Sequence, residues 1–189
     1  MGYEVSSGSF QRLAPVGRRN APLFALGLLS VASALASFVF ACATPFAAFA
    51  VVAAAMLPRR SALLVVAGAW LVNQGIGFGI LHYPIDGATM LWGLVIGAAA
   101  LVAVLAASVV LRGTPRMPTA LALTLALVCA YAGHELTLLA ATPFLGGASS
   151  FTAAIVARIG FTSLAWLIGL VGVCEIVRML NPVRSRHTA

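Results

Sequence analysis

Asn73, Gln74, His134, Glu135 and Arg158 each interrupt a long apolar stretch of this chain. A charged side chain at the centre of a bilayer costs about 2.5–3.5 kcal/mol on insertion scales, so it must face a partner or a cavity. Counted from the nearest loop, Glu135 lies six residues before Ala141, Arg158 seven after Phe151 and Asn73 eight before Leu81. At 1.5 Å per helical residue these positions share a depth of about 9–12 Å. His82, Tyr83 and Asp86 fall in the short loop beside them. A carboxylate, a guanidinium, two amides and imidazoles at one level are the parts of a small-solute site, with the His82 to Asp86 loop as its lid and Tyr131, one turn before Glu135, on its wall.

Each residue also has a structural reading. Glu135 and Arg158 would make a buried ion pair that sets helix register. Asn73 and Gln74 would serve as interhelical glue, with Gly75, Gly77 and Gly79 as close-packing positions. His82 and Asp86 would be solvated loop residues. Trp70, Trp92 and Trp166 fit either pocket walls or packing. Glu175 and Arg178, three apart, are expected to pair on one helix face. No Gly-rich phosphate loop, HExxH or GxSxG is present, so no catalytic motif and no cofactor is expected. The competing redox reading would use His82 and His134 as haem or metal ligands, two lone histidines in different segments.

The elements that position these residues are set by composition. Of 189 residues 62% are hydrophobic and 8% charged, against roughly 25% charged in an average soluble domain. Six apolar blocks run over Pro22 to Ala43, Pro45 to Leu57, Ala62 to Leu81, Gly87 to Leu111, Pro118 to Ala141 and Phe151 to Leu180. Pro45, Pro58, Pro84, Pro115, Pro118 and Pro143 stand at or beside the separators, where a missing N–H costs least. The runs are continuous and rich in Ala and Leu, which argues for helices over barrel strands. The expected fold class is an all-α integral membrane protein, a bundle of six transmembrane helices with both termini cytoplasmic. The second block spans roughly 20 Å as helix and reads as a short or tilted span.

The chain has eleven basic residues, all Arg, and a net charge of +7. Six crossings put Arg12, Arg18, Arg19, Arg59, Arg60, Arg112, Arg116, Arg184 and Arg186 on one side, with Arg178 at its edge; only Arg158 is left over. By the positive-inside rule that side is cytoplasmic, in a bacterial-type inner membrane. These arginines have no aromatic interleaving, so they are read as anchors to anionic lipid and not as a nucleic-acid surface. Arg59, Arg60, Arg112 and Arg116 are the candidate contacts for a cytoplasmic partner. Residues 1–20, with Ser6, Ser7, Gly8 and Ser9, read as a mobile cytoplasmic tail, 21–181 as the transmembrane domain and 182–189 as a second tail. Ala41-Cys42-Ala43 resembles a signal-peptide cleavage site, but the apolar stretch before it exceeds the usual 7–15 residues, and an uncleaved span is expected. Cys42, Cys129 and Cys174 are isolated, as expected for small apolar filler. The stretch Ala43-Thr44-Pro45-Phe46 recurs as Ala141-Thr142-Pro143-Phe144, which reads as proline opening a following helix.

About 190 residues, six spans, both termini inside, short Arg-bearing loops and an outward polar pocket together resemble the substrate-binding S component of an energy-coupling-factor (ECF) vitamin transporter. The resemblance covers the whole chain and is architectural; it carries no signature of the thiamine, riboflavin or biotin members and so assigns no vitamin. It implies binding of a small vitamin-like solute from outside, with a transmembrane coupling subunit and ATPase subunits as partners. Glu135 and Arg158 would then anchor opposite charges of the ligand while Asn73 and Gln74 hydrogen-bond it. Small residues of the first span, Ala32, Ser33, Ala36 and Ser37, would dock the coupling subunit. The alternative is an accessory subunit packed inside a larger membrane complex.

Overall fold

A computed structural model describes residues 11–40 and 44–181. Cys42, the Ala41 to Ala43 stretch, Ser6 to Ser9, Arg184 and Arg186 lie outside the described residues. The chain forms α1 (Ala21–Phe40), α2 (Phe46–Met56), α3 (Arg59–Gly79), α4 (Gly87–Gly113), α5 (Thr119–Leu145) and α6 (Ala153–Leu180), with one 3₁₀ turn at Ala148–Ser150. The described residues contain no strand. All helices except α2 are long and apolar enough to cross a membrane, which makes this a multi-pass membrane protein.

Alanine is the commonest buried residue, with Ala25, Ala48, Ala69, Ala103 and Ala126 at 0% exposure, whereas Leu23, Leu64, Phe144 and Phe161 are exposed. Water would not tolerate so much bare apolar surface. Lipid does, and small residues then let helix backbones approach closely.

The second apolar block is the centre of this arrangement. α2 has 11 residues, about 16 Å of helix, and every residue except Ala54 is buried. It touches all five other helices, which form a sheath around it. Such a helix needs no bilayer-matched length, because its sides meet protein and not lipid.

A buried helix must still satisfy its end groups. At the C-terminus of α2 this is done by residues from the stretch read as a tail. The amides of Arg12 and Leu13 donate to the Ala55 carbonyl at 3.0 and 3.2 Å, and Gln11 Nε2 donates to the Met56 carbonyl at 2.7 Å. Leu13 and Pro15 are buried. Arg12 reaches on to the α4–α5 connection, donating to the Thr114 and Met117 carbonyls. Residues 11–16 are therefore packed against the bundle, because the orphan carbonyls of α2 need donors. The same contacts bring the start of α1, the end of α2 and the α4–α5 connection to one end of the bundle, the Arg-rich end.

The Thr142-Pro143 repeat does not open a helix. Pro143 lies inside the last turn of α5. Its missing N–H would leave the Leu139 carbonyl unpaired, and the Thr142 hydroxyl donates to that carbonyl at 2.8 Å instead. Pro45, by contrast, does stand at the N-cap of α2.

Candidate functional site

At the end away from Arg12, Arg59, Arg60, Arg112 and Arg116, a cavity of about 400 Å³ sits beside the N-terminus of α2. Thr44 and Phe46 contribute from that N-terminus, Thr89, Trp92 and Ile96 from α4, and His134, Glu135 and Leu138 from α5. Gly147, Phe151 and the start of α6 complete the wall. The turn into this wall uses positive φ at Gly146 (78°) and Gly147 (86°), a region that glycine enters without strain. A cavity of this size falls within the range of small-molecule sites.

His134 and Glu135 are the titratable groups of the wall. His134 Nδ1 lies 3.5 Å from Glu135 Oε1, with side-chain exposures of 10% and 14%. His134 Nε2 is buried and has no hydrogen-bond partner. Buried polar atoms are normally paired, so an orphaned ring nitrogen beside a carboxylate is the chemical signature of this site.

Asn73 and Gln74 stand next door. A smaller cavity of about 80 Å³ is lined by both amides and by Phe78, Tyr83 and Gly93, and it shares Thr89, Trp92 and Ile96 with the larger one. Asn73 Nδ2 donates to Ser37 Oγ at 2.8 Å and to Thr44 Oγ1 at 2.9 Å, while Gln74 Nε2 donates to Asn73 Oδ1 at 3.0 Å. Ser33 Oγ adds a bond to the Ala69 carbonyl at 2.8 Å. The amides thus tie α1, α3 and the start of α2 together, the interhelical use of such groups. Gly93 and Gly97 make room for α3: an added Cβ would lie 2.4 Å from Gln74 Oε1 and 2.7 Å from Trp70 Cε2 respectively.

Four expected site residues fall elsewhere. Arg158 is exposed and does not line the cavity. The buried residues of α6, Ser163, Leu167, Leu170 and Cys174, form one stripe, and at 100° per residue Arg158 lies on the far side of the helix. The expected Glu135–Arg158 pair is therefore not formed; Glu135 stands beside His134 instead, and Glu175 pairs with Arg178, whose Nε lies 2.8 Å from Glu175 Oε2. Tyr131 turns to the α5–α6 seam, where its hydroxyl donates to the Val156 carbonyl at 2.5 Å. His82 is an exposed loop residue with φ of 55°. Asp86 caps α4, accepting from the Thr89 amide at 2.8 Å and the Thr89 hydroxyl at 3.0 Å. These bonds hold its carboxyl below the ordinary value of 3.8. Asp86 meets the site only through Thr89.

The small residues of α1 are also turned inward. Ala32, Ser33, Ala36 and Ser37 are buried, with Ser33 and Ser37 committed to the α1–α3 seam, so they present no docking face. Arg59, Arg60, Arg112 and Arg116 are exposed. Among the described residues no group of three or more His, Cys, Asp or Glu side chains could hold a metal ion.

Sequence reasoning missed Thr44, Thr89 and the apolar wall. Thr89 had an indirect signal, since Asp86 before an apolar run is a favoured N-cap residue whose carboxylate accepts from the amide three residues on. Phe46, Ile96 and Leu138 had none, because an apolar residue in an apolar helix does not tell which neighbour it faces. No protein-family model, curated protein or solved structure gives a significant match to this chain.

Proposed function

We propose that the protein binds a small, largely apolar solute in the Glu135 cavity and presents it for uptake across a bacterial-type cytoplasmic membrane. The observation that carries this reading is the pair at the cavity wall: the Glu135 carboxylate within an apolar helix, beside His134, whose Nε2 finds no hydrogen-bond partner. The positive-inside rule places the arginine end in the cytoplasm and the cavity toward the outside. Arg59, Arg60, Arg112 and Arg116, exposed at the cytoplasmic end, form the landing surface for separate energising subunits, in the manner of an ECF S component. Native mass spectrometry of the detergent-purified chain tests this. Wild type is expected to carry a small molecule that Glu135→Gln loses while remaining folded. A wild type that carries nothing, with Glu135→Gln differing only in stability, would contradict it.

Arg158 favours a second reading, an accessory subunit of a larger membrane complex. A guanidinium on the outward side of an apolar helix needs a headgroup or a partner carboxylate. Arg158→Gln leaves solute retention intact under the first reading and releases a co-purifying membrane protein under the second.

A further inference from the structure

The charge of the cavity says what kind of solute it takes. Glu135 is the one acidic side chain among the residues that line it, and no arginine is among them. The chain contains no lysine. Arg158, the basic residue nearest in sequence to the α6 wall, is exposed on the side of α6 away from the buried stripe. Asp86, the next acidic group, holds Thr89, so the charge it adds to the rim is also negative. His134 is the other titratable side chain of the wall, and its Nδ1 already stands 3.5 Å from Glu135 Oε1. The remainder of the wall is apolar or aromatic, with Trp92 on one side and Phe151, Ile155 and Ile159 on the other.

An ionised carboxylate in such surroundings is stable only with a cationic or multiply N–H-donating partner. A ligand bearing a carboxylate or phosphate would meet like charge, with no guanidinium or ammonium group to offset it. We infer that the solute is an organic cation with a flat or aliphatic body, its N–H-bearing head on the Glu135 carboxylate and its body against Trp92 and Phe151. Aromatic faces add a cation–π contribution to the same preference. The inference rests on the solute-binding reading and narrows it: zwitterionic or anionic solutes, which an engaged Arg158 would have admitted, are excluded.

Three isosteres that differ in charge test it on the full chain in lipid nanodiscs, with empty nanodiscs subtracted: benzamidine, cationic at neutral pH, benzamide, neutral, and benzoate, anionic. Equilibrium dialysis is expected to show benzamidine retained about tenfold or more over the other two, the scale of one charge-assisted contact. Glu135→Gln is expected to abolish that preference and Arg158→Gln to preserve it. The three-way comparison on wild type needs no variant, so a poorly folding Glu135→Gln leaves the test standing. Benzoate bound as well as benzamidine, or no retention of any of the three, overturns the cationic assignment. The solute-binding reading falls separately, when the purified wild type carries no molecule at all; a recovered solute that proves anionic would leave that reading in place and sink this inference alone.

Discussion

α2 and α6 are both predominantly apolar and opposite in environment. α2 is the shortest helix, yet all of it but Ala54 is buried and it touches every other helix. α6 has 28 residues, of which Ser163, Leu167, Leu170 and Cys174 are buried. Apolar grooves flank it, one shared with α1 and one with α5. Hydrophobicity therefore does not distinguish a helix wrapped in protein from a helix wrapped in lipid. Side-chain size does not either, since α2 buries Phe46, Phe49 and Met56 beside its alanines and valines while α6 turns Phe161 and Ile168 outward; what surrounds the helix decides.

The contrast is broken most sharply by Phe49→Ala. Phe49 is 0% exposed and packs edge-on against Phe46 and Trp166, with centroids 5.8 and 6.1 Å away. Its truncation is expected to cost about 3–5 kcal/mol, read as a large fall in thermal midpoint. Phe161→Ala on the exposed face of α6 is expected to stay within about 0.5 kcal/mol. Equal effects at the two sites would mean that α2 is not the core.

Asn73→Leu comes next. It removes the donor shared by Ser37 and Thr44, and although Ser37 keeps its own bond to the Ser33 carbonyl at 2.7 Å, the loss of both bonds is expected to cost about 1–3 kcal/mol. Because Thr44 lines the cavity, the same variant should also weaken solute retention. Arg12→Met follows, since it releases the Thr114 and Met117 carbonyls and should raise protease cleavage in the α4–α5 connection. Unchanged cleavage would show that residues 11–16 are a passive tail.

Asp86 gives the smallest effect. Its carboxyl is held below the ordinary value by the Thr89 amide first and the Thr89 hydroxyl second. A lowered folded-state value contributes stability above the unfolded value of 3.8, and that contribution fades as pH falls through the lowered value. Wild type should therefore lose its advantage over Asp86→Ala on acidification below that value, with the two midpoints converging. Parallel curves would remove Asp86 from the capping role.

Much of the fold was legible because bilayer-scale apolar runs and prolines mark helix ends whatever packs against them. Pro45, Pro58 and Pro118 each stand at an N-cap. Pro143 was misleading, since a hydroxyl one residue earlier can replace the bond it removes. The depth argument correctly brought Asn73 and Glu135 to one end but could not give azimuth. Glu135 lines the cavity and Arg158 does not, and an angle around an apolar helix leaves little trace in a sequence where both faces are apolar. Arg12 and Leu13 were hidden for a different reason: their partners are carbonyls of α2, which every residue possesses.

On the proposed function a solute enters the cavity from the end opposite Arg59, Arg60, Arg112 and Arg116. A single cysteine at Leu138, which lines the cavity, in a chain with Cys42, Cys129 and Cys174 replaced by alanine, tests it through a membrane-impermeant maleimide applied to intact cells. Labelling in intact cells, slowed by the solute recovered from the purified protein, is the expected result. Labelling only after the cytoplasmic face is exposed, or a rate that the solute does not change, would contradict the claim.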